Sequence, residues 1–124
     1  MTEKKKILFI EDEPDQVTIV CMRLEKSGFS VLSANAGDEG LKLAIKEKPD
    51  LILLDIIMPG MDGFEICRKL RSNPVTKKIP IIATTAAGTE DLEHQCITAG
   101  ADACVRKPYD SADLLVKIRR LLGK

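Results

Sequence analysis

The sequence carries no excess of charge of either sign. Its 124 residues include nineteen Lys and Arg against nineteen Asp and Glu, so the formal net charge is zero. A domain whose main ligand is nucleic acid usually shows a basic surface. The balance argues against direct nucleic-acid binding. A chain of this length corresponds to one ordinary domain, over residues 1–124, with no room for a second.

Long hydrophobic runs are also missing. The longest apolar runs, at residues 51–54 and 79–83, are far shorter than the roughly 20 residues that a membrane span needs. The basic N-terminus is followed by only four apolar residues before Glu11, too few for the core of a signal peptide. These absences predict a cytoplasmic protein without a membrane partner.

Paired metal-binding or redox cysteines are lacking as well. The four cysteines, Cys21, Cys67, Cys96 and Cys104, form no CxxC pair, and each lies within an apolar pattern. That spacing argues against a zinc or redox site and predicts small, reduced core residues. The single histidine, His94, has no accompanying partner pattern and is predicted to be an ordinary surface residue.

Short apolar runs and helical periodicity alternate five times along the chain. Strands are predicted at residues 6–10, 29–33, 51–54, 79–84 and 103–105. Pro14 suits the start of the first helix and Gly28 its end. Asp62 with Glu65 resembles a capping box for the third helix, and Asp110 or Ser111 caps the fifth.

This alternation predicts an α/β fold of the (βα)5 type. Short connections between successive units give a doubly wound, five-stranded parallel sheet with helices on both faces. The expected strand order is the flavodoxin-like 2-1-3-4-5, and ligands of such sheets bind at the carboxyl ends of the strands.

Acidic residues follow two strands that are neighbours in this order. Glu11 and Asp12 come after the first strand and Asp55 after the third, so their carboxylates should converge. Clustered carboxylates repel each other and need a cation or a proton. Because no His or Cys is near to recruit zinc, a hard cation that prefers oxygen ligands fits best, and Mg²⁺ typically takes one or two carboxylates together with a phosphate oxygen.

The same edge of the sheet offers parts for phosphoryl transfer. Asp55 can act as a nucleophile that forms an acyl phosphate. Lys107, after the fifth strand, supplies a positive charge for phosphate oxygens, and a Thr hydroxyl at the end of the fourth strand supplies a hydrogen bond. Phosphoryl transfer requires mainly positioning and charge neutralisation, which these groups provide.

From about Lys5 to Leu122 the chain resembles a receiver domain of a two-component response regulator, of the single-domain CheY-like kind. The resemblance is carried by five segments: ILFIEDE (7–13), PDLILLD (49–55), MPGMDG (58–63), IPIIATTA (79–86) and GADACVRKP (100–108).

The resemblance implies a role for each site residue. Asp55 would accept a phosphoryl group from a phosphohistidine on a sensor histidine kinase or a histidine phosphotransfer protein. Glu11, Asp12, Asp55 and the backbone carbonyl of Ile57 would hold Mg²⁺, with Asp12 closer to the ion than Glu11.

The basic and hydroxyl groups are assigned in the same way. The switch hydroxyl of the family lies five residues beyond the proline of the fourth strand, which selects Thr85 rather than Thr84. Lys107 would contact the phosphoryl group, and the Lys107–Pro108 peptide bond is expected to be cis.

Two departures from the family pattern matter. Family members commonly carry an aromatic residue three positions before the lysine, where this chain has Cys104. We therefore expect the loop from Ala86 to Thr89 to carry the conformational change. The positions two beyond Asp55 and two beyond Thr85 are Ile57 and Ala87, neither of which can hydrogen-bond an attacking water, so slow autodephosphorylation is expected.

Three alternative functions agree less well with the sequence. A HAD-like phosphohydrolase needs an Asp-x-Asp pair on the first strand, where this chain has Glu-Asp-Glu, and a flavodoxin would not place three acids in its phosphate loop. A degenerate receiver that only binds proteins would not need Asp12, Asp55, Thr85 and Lys107. The expectation is a signalling domain rather than an enzyme.

The expected partners are proteins. A receiver of this length leaves no room for an output domain, so its signal would pass to a downstream protein that the sequence does not identify. The fourth helix, fifth strand and fifth helix are the implied partner surface, and a homodimer through it is possible. Whether the chain is part of a longer protein stays open.

Overall fold

The computed structural model describes residues 4–58, 60–86, 90–107 and 110–123. Strands and helices alternate along these segments, and two very short strands follow the third strand. The strands are β1 (Lys6–Ile10), β2 (Ser30–Ala34), β3 (Leu51–Asp55), β4 (Ile57–Met58), β5 (Met61–Asp62), β6 (Ile81–Thr85) and β7 (Ala103–Arg106). The helices are α1 (Pro14–Lys26), α2 (Gly37–Glu47), α3 (Gly63–Ser72), α4 (Glu90–Ala99) and α5 (Ser111–Leu121).

The five longer strands form one parallel sheet in the order β2-β1-β3-β6-β7. This is the predicted order 2-1-3-4-5, so the expected doubly wound fold is confirmed. β3 lies in the centre and all five of its residues are buried, as its unbroken aliphatic run predicted. The order places β1 directly beside β3.

Each face of the sheet carries its own apolar layer, because side chains alternate along a strand. On one face, Leu8 and Leu54 pack with residues of α2, α3 and α4, including Cys67 and Cys96. On the other face, Phe9 and residues of α1 and α5 pack together. No helix in the described part of the chain is both long and apolar enough to cross a membrane.

Helix ends follow the predicted signals. Pro14 occupies the first turn of α1, and Gly28, just beyond its end, has a φ of 98°. Asp62 caps α3 by accepting hydrogen bonds from the backbone N–H groups of Phe64 and Glu65. Of the two candidate caps for α5, Asp110 accepts from the N–H of Ala112 and is the N-cap residue.

Four of the five predicted strands have different bounds in the structure, and β2, β3, β6 and β7 each end one residue later than predicted. β2 begins at Ser30 rather than Phe29, and β6 begins at Ile81 rather than Ile79. Pro80 has no N–H to give to a sheet, which explains the later start of β6. The segment predicted as a plain loop after Asp55 contains the antiparallel pair β4–β5. Two-residue strands are too short to show a periodicity, so the sequence could not reveal them.

The start of α3 lies against the chain segment that follows Asp55. The N–H of Gly63 donates to the carbonyl of Ile56, and a Cβ at position 63 would fall on the Ile56 backbone. Only glycine permits this approach. Gly63 therefore helps to fix the backbone immediately beyond the candidate phosphoacceptor.

Candidate functional site

Three carboxylates meet at the carboxyl ends of β1 and β3. Glu11 and Asp12 directly follow β1, and Asp55 is the last residue of β3. One carboxylate oxygen from each of Glu11, Asp12 and Asp55 lies within 4.8 Å of those of the other two. The convergence predicted from the strand order is confirmed.

The two acids that follow β1 have different surroundings. Glu11 is almost fully buried, and its backbone N–H donates to the carbonyl of Ala34 at the end of β2. Its carboxylate accepts from the N–H of Glu13 at 3.3 Å and from Lys107. Asp12 is exposed. Of the two cluster acids that follow β1, Asp12 is therefore the one more open to an ion from solvent.

The third acid of the turn, Glu13, serves the fold instead. It is the N-cap residue of α1, and its side chain accepts a long hydrogen bond of 3.4 Å from the N–H of Asp15. Negative charge at a helix N-terminus is favourable because it faces the positive end of the helix dipole.

Lys107 reaches the cluster from the end of β7. Its backbone N–H donates to the carbonyl of Thr85 at 2.8 Å, which extends the pairing of β7 with β6 by one residue. Its Nζ donates to Glu11 Oε1 at 2.6 Å and to Asp55 Oδ2 at 3.2 Å. The amine thus bridges the two buried carboxylates.

One carboxylate oxygen of Asp55 is hydrogen-bonded to the protein backbone. Its Oδ1 accepts from the N–H of Ile57 at 3.2 Å, and only 3% of the residue is exposed. Burial and the negative charge and hydrogen bonding of Glu11 raise its pKa from 3.8 to about 6, against the opposing effect of Lys107. A metal cation in this cluster would favour the ionised form of Asp55.

The pKa of Lys107 responds to the same neighbours. Burial lowers it, but the hydrogen bond to Glu11 and the negative charges of Asp55 and Glu11 outweigh burial, so the net pKa is raised. Lys107 is therefore a cation at neutral pH, as the neutralisation of a phosphoryl group requires.

Two adjacent threonines end β6, and both are fully buried. Thr84 is paired in register with Asp55 and Val105, and its Oγ1 has no hydrogen-bond partner among the described residues. Thr85 is paired with Arg106 in β7 and accepts the N–H of Lys107 through its carbonyl. Both threonines thus lie at the end of β6, beside the end of β3 that carries Asp55.

The donor set of the cluster suits Mg²⁺. It consists of carboxylate oxygens, and in the described segments no other group of three or more His, Cys, Asp or Glu residues is close enough to hold a metal. The Ile57 residue proposed as a carbonyl ligand lies two positions beyond Asp55, in β4. Residues 87–89 and Pro108 lie outside the described residues. The expectations for Ala87, for the loop Ala86–Thr89 and for the Lys107–Pro108 bond therefore stay predictions.

Comparison with known proteins gives a consistent picture. The family model for the response regulator receiver domain matches residues 7–119. The chain is 38% identical over 119 residues to RpaA of Synechocystis, a DNA-binding transcriptional regulator, covering 96% of this chain and 49% of that protein. It is also 38% identical over 118 residues to PilH of Pseudomonas aeruginosa, covering 95% of this chain and 98% of PilH. The chain thus spans about half of RpaA and nearly all of PilH.

Among solved structures, the chain is similar to the receiver domain of the sensor histidine kinase PA1611 from Pseudomonas aeruginosa. The TM-score is 0.90 at 29% identity, covering 98% of this chain and 99% of that one. In that structure a magnesium ion is coordinated in the active-site cleft.

Proposed function

The chain belongs to the response regulator receiver family of two-component signalling, and on this premise we propose that it is a phosphoacceptor whose phosphorylated residue is Asp55. The observation that carries the proposal is the geometry around Asp55. Its carboxylate lies at the end of the central strand, with Lys107 Nζ at 3.2 Å and two further acids beside it.

In the proposed reaction, a carboxylate oxygen of Asp55 attacks the phosphorus of a phosphohistidine. A new O–P bond forms as the N–P bond breaks, and the leaving nitrogen keeps the electron pair and takes up a proton. Lys107 neutralises a phosphoryl oxygen, and the Thr85 hydroxyl hydrogen-bonds another after transfer. The donor would be a sensor histidine kinase or a histidine phosphotransfer protein.

The proposed cofactor is Mg²⁺, held by Asp12, Glu11, Asp55 and the carbonyl of Ile57. Bound there, it would neutralise charge on the phosphoryl group. The acidic cluster supports this assignment, and so does the magnesium ion of the similar PA1611 receiver. Since both oxygens of Glu11 already accept hydrogen bonds, Asp12 is the acid of the turn that we expect to lie nearest the ion.

We further propose that residues 1–124 form one receiver domain that acts by changing its affinity for a partner rather than as an enzyme. The candidate partner surface comprises α4, β7 and α5. It presents two exposed apolar side chains, Ile97 and Val116, and an ion pair of 2.6 Å between Arg106 and Glu93. The proposed binding partner at this surface is a downstream protein or a second copy of the chain.

The test is incubation with acetyl phosphate and Mg²⁺, followed by intact mass spectrometry. The wild-type chain should gain the mass of one phosphoryl group, and hydroxylamine should remove it, as expected for an acyl phosphate. Asp55→Ala should gain nothing, whereas Asp113→Ala, which changes an exposed acid of α5, should behave as wild type. An unmodified wild-type chain, or modification that persists in Asp55→Ala, would overturn the proposal.

A further inference from the structure

Two cysteines that are separated in sequence are in contact in the fold. Cys96 lies on the sheet-facing side of α4 and is fully buried, and Cys104 is a partly exposed residue of β7. The thiol of Cys104 donates to Cys96 Sγ, and the two sulfur atoms are 3.6 Å apart. The sequence predicted reduced core residues, and in the structure all four cysteines are free thiols.

The backbone on both sides of this contact is fixed. Cys104 is paired with Ala83 in the parallel ladder of β6 and β7. The carbonyl of Cys96 accepts from the N–H of Ala101 in the turn that ends α4, and Gly100 in that turn has a φ of 120°. The sulfur contact is therefore set by the α4–β7 connection. A disulfide bond requires the sulfurs to approach by only about 1.5 Å more.

We propose that Cys96 and Cys104 form a reversible intramolecular disulfide under oxidation by a hydroperoxide, and that this bond ties α4 to β7. The other two cysteines are less suited. Cys21 lies on α1, on the opposite face of the sheet, and Cys67, on α3, makes no sulfur–sulfur hydrogen bond within the described residues. Cys104 is the more accessible member of the pair in contact, so we assign the first oxidation step to it.

The chemistry balances in two steps. The Cys104 sulfur attacks one peroxide oxygen, and an S–O bond forms as the O–O bond breaks. The departing oxygen takes the thiol proton and leaves as water or an alcohol, so that Cys104 becomes a sulfenic acid. The Cys96 sulfur then attacks the Cys104 sulfur. The S–S bond forms as the S–O bond breaks, and the hydroxide leaves with the Cys96 proton as water. Two thiols are oxidised and one peroxide is reduced.

The reaction should be slow at neutral pH. Burial, together with the neighbouring Cys104, raises the pKa of Cys96 to about 12, and burial raises the pKa of Cys104 as well. Because the thiolate is the reactive form, the pair would respond to sustained rather than brief oxidation.

The bond would join two of the three elements that make up the candidate partner surface. Cys104 lies three residues before Lys107, and Cys96 lies one position before Ile97, which is exposed on α4. A covalent link at this point would hold α4 in its present position against the sheet. The proposal does not depend on phosphorylation, because neither sulfur belongs to the acidic cluster.

Peptide mapping tests the proposal directly. Both cysteines fall in the single tryptic peptide of residues 79–106, which contains no internal Lys or Arg. The chain is treated with hydrogen peroxide and then denatured in the presence of N-ethylmaleimide. This peptide should then be unalkylated, and its mass should be two hydrogen atoms below that of its dithiol form. Peptides that contain Cys21 and Cys67 should remain alkylated, and dithiothreitol should restore two reactive thiols.

The variants make the outcome decisive. Cys104→Ser should abolish the lighter peptide without disturbing the buried Cys96, and Cys21→Ser should form it as the wild type does. Asp55→Ala should also form it, which separates this proposal from the phosphoacceptor function. A peptide 79–106 that stays alkylated at both cysteines, a cross-link of either to Cys67, or overoxidation of Cys104 without a disulfide would each overturn the proposal.

Discussion

Lys107 Nζ lies closer to Glu11 than to Asp55, at 2.6 Å against 3.2 Å. The lysine thus forms its shorter ion pair with a neighbour of the candidate phosphoacceptor. Glu11 in turn helps to raise the pKa of Asp55. Glu11 and Lys107 therefore act in opposite directions on the ionisation of Asp55, and burial adds to the effect of Glu11.

The first prediction concerns Glu11→Gln. Removing this negative charge should lower the pKa of Asp55 from about 6 toward its ordinary value, because a like charge disfavours ionisation. The measurement is an NMR titration of the Asp55 carboxyl carbon in EDTA. Asp12→Asn is the control, since Asp12 does not contribute to the shift. An unchanged titration in Glu11→Gln would contradict this account.

The second prediction concerns stability and pH. Because the pKa of Asp55 is raised in the folded chain, the folded state binds its proton more tightly than the unfolded state does. The free energy of unfolding should therefore fall as the pH rises from about 4 to about 6, and the loss should be complete at pH 7. Asp55→Asn should then be more stable than the wild type by roughly 2–3 kcal/mol at pH 7.

Urea unfolding in EDTA at pH 7 and at pH 3.5 measures this effect. The two chains should have similar stability at pH 3.5, where Asp55 is protonated in the folded state and mostly protonated in the unfolded state. Added Mg²⁺ should stabilise the wild type more than the variant. Equal stabilities at pH 7 would argue against a destabilising buried charge at Asp55.

The third prediction concerns the hydroxyl of Thr84, which has no hydrogen-bond partner in the described part of the chain. A buried hydroxyl without a hydrogen bond costs free energy, so Thr84→Val should stabilise the chain by about 1 kcal/mol. Thr76→Val is the matched control, because Thr76 is equally buried and its Oγ1 donates to the carbonyl of Leu70 at 2.6 Å. It should destabilise the chain by about 1–2 kcal/mol. A shift of the urea midpoint in the same direction in both variants would contradict the prediction.

The fourth prediction concerns Gly63. A methyl group there would meet the backbone of Ile56, which cannot move without displacing the segment after Asp55. Gly63→Ala should cost about 2–3 kcal/mol. At Gly40, in α2, the methyl would fall 2.5 Å from Cδ1 and 2.7 Å from Cγ1 of the buried Ile10 side chain, and the gain in helix propensity opposes part of that clash. Because a side chain can shift more readily than the Ile56 backbone, Gly40→Ala should cost less than Gly63→Ala in thermal unfolding, and comparable losses at both sites would refute the distinction.

The fifth prediction concerns the lifetime of the phosphorylated chain. The Ile57 side chain is 54% exposed two residues beyond Asp55, and it has no group to orient an attacking water. Autodephosphorylation should be slow, and Ile57→Asn should accelerate it by about tenfold, a barrier change of about 1.4 kcal/mol. Decay of the phosphorylated mass over time measures the rate. Val75→Asn, an exposed change at a position outside the cluster, should decay as the wild type does.

Much of this fold could be predicted from the sequence. The aliphatic run of β3 indicated a strand buried on both faces, and five strand–helix alternations with short connections indicated the sheet order. The strand order alone brought Glu11, Asp12 and Asp55 to one edge. Local signals such as Pro14 and Asp62 marked helix starts because they act within one turn of the backbone.

Other features depended on contacts between distant segments. The hairpin β4–β5 escaped prediction because two residues show no periodicity, and the hydrogen-bond partners of Lys107 depend on packing across 96 residues of chain. The spacing of Cys96 and Cys104 along the sequence did not by itself predict that they are in contact. Only the turn that lays α4 against β7 brings the two sulfurs to 3.6 Å.

The sequence by itself determined the order of the elements and the kinds of group at the ends of the strands. The tertiary structure decided how those groups interact. It paired the buried Glu11 with Lys107, raised the pKa of Asp55, left the Thr84 hydroxyl without a partner among the residues that the structure describes, and placed Cys96 against Cys104. The physical reason is that periodicity and capping are local properties of the chain, whereas charge interactions, burial and sulfur contacts depend on distances through space.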